Sequence, residues 1–278
     1  MTVTVLRGSQ VSKRTGASAN EANRGSNVEG MTRLLVIQPD DSDPAANLGD
    51  WLTAAGADLH LVRPFDEPLP ALDGYQGVVC LGGEMGALDD VKHPWLKDVR
   101  QLLASATGNR VPVLGVCLGG QLLAVATGGR VVVGEAGPEV GPSLVAKRDA
   151  AWTDPLFGES PLMLDVMQFH LDAIDRLPPG AELMASSGKY PNQAFRLNGC
   201  AYGLQFHIET TTDMVLKWAQ MGPEAAGTAR PGALERENLD AVHADIAETW
   251  EPIAVKFVRL ASGELPLADR ARNTLPLV

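Results

Sequence analysis

The chain has 278 residues and 45% hydrophobic content, enough to bury one sizeable core or two. Its formal net charge of -11 argues against a nucleic-acid-binding protein, because such proteins normally present a basic face. No apolar run approaches the roughly 18 residues of a membrane span, so we expect a soluble protein with no membrane partner.

The two ends of the chain and its cysteines set the next expectations. Segment 1–30 is rich in serine, asparagine, glycine and charge, which predicts a flexible extension before a single domain at 31–278. The first residues lack the pattern of a secretory signal, and this favours a cytoplasmic location. Three cysteines without a CxxC pair indicate neither a disulfide framework nor a zinc site, so no metal is predicted.

From residue 34 to residue 117, short apolar runs alternate with amphipathic stretches. This alternation predicts a parallel sheet with helices on both faces, in which ligands bind beyond the carboxyl ends of the strands. The predicted strands are 34–38, 57–62, 77–83 and 111–117, and the predicted helices are 44–55 and 93–106.

After Gly134 the pattern changes to short strand-like runs separated by proline, glycine and asparagine, which predict hairpins added to the sheet edge. Helical patterns at 213–220 and 234–261 close the chain. The fold class predicted is therefore α/β, with a flavodoxin-like, mostly parallel central sheet, helices on both faces and added hairpins. The strand-like runs are 143–149, 162–170, 181–187, 192–197 and 201–207.

Cys117 lies in the stretch PVLGVCLGGQLLA, between an apolar strand and a glycine-flanked helix start. This arrangement resembles a nucleophile elbow, in which the helix N-terminus favours the thiolate. The same residues equally suit a small buried structural cysteine. Cys80 and Cys200 lie inside a strand and a hairpin, and we expect both to be structural.

Among the five histidines, His207 is the best candidate for a base. It ends the apolar run YGLQFH and is followed two positions later by Glu209. Residues two apart on a strand project to the same side, so Glu209 is expected to accept the imidazole N–H and fix its tautomer.

Four motifs, which follow the family's order along the chain, resemble the class I (triad) glutamine amidotransferases, specifically the stand-alone GMP-synthase-like type. GVCLGGQLLA resembles the nucleophile elbow of that family and GLQFHIET its His-x-Glu segment. LGGEMGA occupies the place of its oxyanion loop, and QFHLDAID that of its substrate-side hairpin. The resemblance runs from about residue 34 to residue 218.

The resemblance implies roles for five residues. Cys117 would be the nucleophile, His207 the general base and then acid, and Glu209 the residue that orients it. The backbone N–H groups of Gly83 and Leu118 would form the oxyanion hole.

The resemblance also implies substrate contacts. Gln121 would contact the substrate side chain, and the hairpin at His170 and Asp172 would hold the α-amino and α-carboxylate groups. Glu84 and Met85 depart from the usual residues after the paired glycines, and Glu84 adds charge beside the substrate entrance.

The reaction implied is hydrolysis of glutamine to glutamate and ammonia through a γ-glutamyl thioester, without a cofactor. The chain carries no Walker loop and no pyrophosphatase motif, so no ATP-using acceptor domain is expected. Either a synthetase partner chain receives the ammonia, or the protein acts alone as a γ-glutamyl amine hydrolase. A third alternative is a non-catalytic regulatory subunit, which the intact Cys, His and Glu disfavour. The sequence leaves the oligomeric state open.

Overall fold

The computed structural model describes residues 31–268, and the predicted extension at 1–30 lies outside the described residues. The elements of the first half, in chain order, are β1 (Thr32–Ile37), α1 (Ala46–Ala54), β2 (Ala57–Val62), β3 (Gly77–Cys80), α2 (Leu96–Gly108), β4 (Val113–Val116), α3 (Leu118–Ala126) and β5 (Arg130–Val133). Those of the second half are β6 (Glu139–Lys147), β7 (Met163–His170), β8 (Asp172–Arg176), β9 (Glu182–Ser186), β10 (Ala194–Leu197), β11 (Ala201–Leu204), α4 (Thr212–Met221), α5 (Pro223–Ala226) and α6 (Arg236–Ser262).

Nine of these strands form one mixed sheet in the order β2-β1-β3-β4-β11-β10-β9-β6-β7. The pairs from β2 through β11 are parallel, and those from β11 through β7 are antiparallel. The predicted α/β fold with a flavodoxin-like, mostly parallel core and hairpins added at one edge is confirmed.

The core occupies both faces of this sheet, as the sequence of β1 requires. Leu34 and Val36 pack with residues of α1, α4 and α6, whereas Leu35 and Ile37 pack with residues of α2 and α3. Successive residues of a strand face opposite sides, so a fully apolar strand implies cover on both faces.

Three details differ from the sequence expectation. Strands β5 and β8 pair with each other in a separate two-stranded sheet that was not predicted, because their residues are largely exposed or only half-buried. Strand β11 ends at Leu204 rather than at position 207. Helix α6 contains Pro252 and runs to Ser262. The next residue, Gly263, caps the helix, and its φ of 83° suits that position.

No helix within residues 31–268 is long and apolar enough to cross a membrane. Assignment of 31–278 to a single domain stays a prediction.

Candidate active site

Cys117 lies at the sharp turn between β4 and α3, with φ at 48° and ψ at -107°. A non-glycine residue rarely adopts a positive φ, and holding it there costs on the order of 1–3 kcal/mol. The Cys117 N–H donates to the carbonyl oxygen of Leu204 over 2.9 Å and so ties the turn to the neighbouring strand β11. The turn places the thiol at the start of α3, where the helix dipole favours a negative charge.

Two glycines make this turn possible by letting α3 approach the sheet closely. A Cβ atom at Gly119 would lie closer than 3.0 Å to the carbonyl oxygen of Cys80. A Cβ atom at Gly120 would also lie closer than 3.0 Å to the carbonyl oxygen of Leu204. Any side chain at either position would push α3 away from strands β3 and β11. The glycines after Cys117 are therefore required by packing as well as by access.

His207 lies beyond the end of β11, where the chain leaves the sheet register and forms an isolated bridge with Met167 of β7. The His207 N–H donates to the Met167 carbonyl over 2.8 Å, and the Met167 N–H donates back over 3.1 Å. Two backbone hydrogen bonds thus hold His207 in place outside a regular strand.

Glu209 holds the His207 ring as the sequence predicts. His207 Nδ1 lies 2.6 Å from Glu209 Oε1, and the second oxygen, Oε2, accepts the N–H of Ile208 over 2.8 Å. A carboxylate can only accept, so Nδ1 carries the proton and Nε2 remains available to the Cys117 thiol, which lines the same cavity. Both side chains are buried, which shields this arrangement from water.

The electrostatics around His207 favour its protonated form. Burial lowers the pKa of the ring, but interactions with Glu209 and Cys117 outweigh burial and hold the pKa well above its usual range. A protonated imidazole beside the sulfur is the environment that stabilises a reactive thiolate.

Gly83 and Leu118, the predicted oxyanion-hole residues, lie beside each other at the carboxyl ends of β3 and β4. A Cβ atom at Gly83 would meet Leu118 Cδ2 at 3.0 Å. Within residues 31–268, no hydrogen bond occupies the backbone N–H of either residue. Both donors are thus free to bind an oxyanion, and this role stays a prediction.

A cavity of about 170 Å³ opens over Cys117 and His207. It is lined by Ser42, Asp43, Gly83, Glu84, Cys117, Phe169, His207, Trp218, Met221 and Gly222.

Gln121, His170 and Asp172 are not among the residues that line this cavity. Gln121 is buried and donates from Nε2 to the Asp172 carbonyl over 3.0 Å. The two ring nitrogens of His170 lie 2.9 Å from that same carbonyl oxygen and 3.1 Å from Glu139 Oε2. Both ring nitrogens of His170 therefore have partners inside the protein, and the contacts of all three residues with a substrate stay predictions.

Sequence reasoning missed the aromatic wall of the cavity. The Trp218 ring lies 4.8 Å from the His207 ring between centroids, and the Phe169 ring lies 5.5 Å from Trp218. The Trp218 indole N–H donates to the Ser42 carbonyl over 3.0 Å, which fixes the loop after β1 against α4. Trp218 lies on the helix that follows the His-x-Glu segment, outside either motif, so no motif pointed to it.

Asp43 was also missed. It lies in the loop PDDSDPA between β1 and α1, and it lines the cavity together with His207. A signal was present, because an acidic loop at the carboxyl end of a central parallel strand is a usual place for site residues.

Asp43, His207 and Glu209 are close enough to be considered as metal ligands, since one candidate atom from each lies within 4.8 Å of the others. The hydrogen bond between His207 and Glu209 accounts for the closeness of those two side chains without an ion. The expectation of no metal and no cofactor stays a prediction.

Comparison with known proteins identifies the family of this chain. The family model for glutamine amidotransferase class-I matches residues 45–214, more than half of the chain. The chain therefore belongs to the class I glutamine amidotransferases, and the resemblance stated from its motifs is confirmed.

Similar proteins show how far this family membership extends. A crystal structure of a glutamine amidotransferase from Thermotoga maritima superposes with a TM-score of 0.72 at 30% identity, covering 82% of this chain and 98% of that one. The GMP synthase [glutamine-hydrolyzing] of Thermomicrobium roseum is 35% identical over 148 residues, 52% of this chain but 26% of that protein. Gamma-glutamyl peptidase 4 of Arabidopsis thaliana is 29% identical over 197 residues, 68% of this chain and 75% of that protein. The chain thus spans about a quarter of the GMP synthase that it matches.

Proposed function

We propose that this protein hydrolyses the side-chain amide of glutamine through a γ-glutamyl thioester on Cys117. One observation carries the proposal. Cys117, strained at the start of α3, faces a His207 ring that Glu209 holds at 2.6 Å, and Cys117 and His207 line the same cavity. A thiolate, a proton-carrying imidazole and a carboxylate that orients it are the groups that nucleophilic acyl transfer needs.

In the first half of the reaction, the Cys117 thiolate attacks the amide carbon and the carbonyl electron pair moves to oxygen. The N–H groups of Gly83 and Leu118 stabilise this oxyanion. The protonated His207 then gives its proton to the nitrogen, the C–N bond breaks, and ammonia leaves the thioester behind.

In the second half, a water molecule replaces ammonia. His207, now neutral, takes a proton from the water as its oxygen attacks the thioester carbon. The C–S bond breaks, glutamate is released, and the thiolate beside protonated His207 is restored. Glu209 keeps one tautomer and one ring orientation through both halves.

We propose that the ammonia passes to a synthetase partner chain. Support comes from the GMP synthase of Thermomicrobium roseum, since this chain aligns with about a quarter of that protein. We also propose that the protein acts in the cytoplasm, a reducing compartment in which thiols such as Cys117 persist. The proposed reaction involves neither nucleic acid nor a membrane, and it is compatible with an oligomeric protein.

A second candidate is hydrolysis of γ-glutamyl amines without a partner. It is favoured by the gamma-glutamyl peptidase relative, because the alignment with this chain covers 75% of the length of that relative. It is also favoured by Glu84, an exposed acid on the cavity wall that suits a cationic extension on the γ-nitrogen. A non-catalytic regulatory role is disfavoured because Cys117 and His207 line one cavity and Glu209 holds the His207 ring.

The test uses the purified full chain and its Cys117→Ala variant. We expect the wild type to release ammonia from glutamine, or amine from a panel of γ-glutamyl amines, and the variant to release none while circular dichroism shows the fold retained. A glutamine-derived chloroketone should alkylate Cys117 and spare Cys80, whose pKa burial raises to about 12. Alkylation of Cys80 in place of Cys117 would overturn the proposal.

Product analysis separates the two candidates. Release of amine from γ-glutamyl amines by the isolated chain supports the second candidate. Glutamine hydrolysis that appears only when a synthetase is added supports the first.

A further inference from the structure

Asp43 lies at the wall of the active-site cavity, and its side chain has no hydrogen-bond partner within residues 31–268. Its exposure is 5%, and its Oδ1 has no hydrogen-bond partner within the described residues 31–268. Transfer of a polar group from water to the interior costs free energy unless a hydrogen bond replaces the lost hydration. Asp43 also lines the cavity, so a molecule that enters the cavity can donate a hydrogen bond to its carboxylate.

The position of Asp43 relative to His207 defines which part of a substrate it would meet. A Cβ atom at Gly82 would lie closer than 3.0 Å to Asp43 Oδ2 and 3.0 Å from His207 Cε1. One carboxylate oxygen of Asp43 lies within 4.8 Å of one ring nitrogen of His207, and both residues line the cavity. The scissile nitrogen must approach His207 to receive its proton, and this brings it near Asp43.

The other carboxylates near Asp43 already have partners. Asp40 Oδ1 accepts both the N–H and the hydroxyl of Ser42 over 2.8 Å, and its Oδ2 accepts the Glu84 N–H over 3.3 Å. Both oxygens of Glu209 are also occupied. Of these three buried or partly buried acids, Asp43 is the one whose carboxylate accepts no hydrogen bond from residues 31–268.

We propose that Asp43 is a further substrate-binding residue, whose carboxylate accepts a hydrogen bond from the N–H of the scissile γ-amide. The inference rests on the proposed function, because it assigns Asp43 a role in that reaction. Asp43 holds the nitrogen against His207, and the bond strengthens when the nitrogen gains a proton and its N–H groups become more polar. No proton moves to Asp43: the proton on the leaving nitrogen comes from His207, and the electron pair of the C–N bond stays on nitrogen.

The charge around Asp43 is compatible with this role. Burial raises its pKa to about 7, with His207 opposing this shift and Glu209 and Asp40 adding to it. Near neutral pH a substantial fraction of the side chain is therefore a carboxylate. A substrate N–H that donates to the carboxylate stabilises that charged form further.

The experiment compares two substrates that differ only in the leaving atom. A γ-glutamyl amide has an N–H at the scissile position, and a γ-glutamyl alkyl ester has none. With the purified full chain, we expect Asp43→Ala to lower kcat/KM for the amide about 10- to 100-fold and for the ester less than about threefold. In Asp43→Asn the side-chain oxygen can still accept a hydrogen bond, so its kcat/KM for the γ-glutamyl amide should lie between those of the wild type and Asp43→Ala.

The matched control is Asp41→Asn, an exposed acid in the same loop, which should leave both substrates within about twofold of the wild type. Alkylation of Cys117 by a glutamine-derived chloroketone, which has no scissile N–H, should proceed at the wild-type rate in Asp43→Ala. This second readout shows that the variant is folded and binds the γ-glutamyl group.

The outcomes separate this inference from the proposed function. Equal losses on amide and ester, or a slowed alkylation, mean that Asp43 is structural and overturn the inference alone. An Asp43→Ala variant as active on the amide as the wild type overturns it as well. A wild type that neither hydrolyses either substrate nor is alkylated at Cys117 overturns the proposed function, and the inference falls with it.

Discussion

His207 and Glu209 are joined by a hydrogen bond of 2.6 Å even though neither lies in a regular strand. The backbone bridge between His207 and Met167, together with the Ile208 N–H bound to Glu209, holds the pair in place of the sheet register. The orientation of the imidazole therefore depends on β7, an antiparallel strand of the added edge, as much as on the parallel core.

This arrangement predicts unequal losses of turnover in His207→Ala and Glu209→Gln. We expect His207→Ala to remove nearly all turnover, because the ring moves both protons, and Glu209→Gln to leave a measurable fraction. Steady-state kinetics on glutamine or a γ-glutamyl amine gives the two values. Equal losses with unchanged circular dichroism would instead assign Glu209 a direct part in proton transfer.

Asp43 predicts a pH-dependent difference in stability. Its pKa in the fold is about 7 against an ordinary 3.8, so the folded state holds a proton that the unfolded state has lost between those pH values. Ionisation of Asp43 therefore leaves the free energy of unfolding unchanged below about pH 4. As the pH rises towards 7, the free energy of unfolding falls, by at most about 4 kcal/mol. Asp43→Asn removes this cost.

Urea unfolding of wild type and Asp43→Asn at pH 4.5 and pH 7.5 measures the effect. The variant should gain stability relative to the wild type at the higher pH and little at the lower one. A difference between the two proteins that is the same at both pH values would contradict the assignment, since other titrating groups are shared.

The close approach of α3 to the sheet predicts a steep penalty at Gly119. Gly119→Ala places a Cβ atom against the Cys80 carbonyl, so we expect a loss of roughly 3 kcal/mol or more and displacement of Cys117. Gly108→Ala is the control, because that glycine ends α2 with open space around it and should change stability by less than about 1 kcal/mol. Thermal unfolding of both variants decides the point.

Glu84 predicts an effect on substrate choice. Glu84→Gln should lower kcat/KM for a γ-glutamyl amine with a cationic extension a few-fold, leave free glutamine less affected, and show a smaller difference at high salt. Glu67→Gln, an exposed acid outside the cavity, is the matched control. An equal change for neutral and cationic amines would remove Glu84 from substrate recognition.

The amino-acid sequence by itself determined the fold class, the family and the candidate triad. These features depend on local patterns: apolar strands that alternate with amphipathic helices, glycines around Cys117, and the two-residue spacing of His207 and Glu209. The spacing led to a correct expectation for the hydrogen bond, although β11 ends before His207 and the bridge to Met167 supplies the geometry instead.

Only the tertiary structure decided which side chains surround Cys117. Asp43, Phe169 and Trp218 come from three separate segments and meet at the cavity, whereas Gln121 and His170 turn to partners inside the protein. Local sequence does not define the direction of a side chain beyond a strand end, because that direction depends on packing against elements distant in the chain. The motifs therefore identified the candidate reacting groups, and the packing of β1, β7 and α4 decided what lies around them.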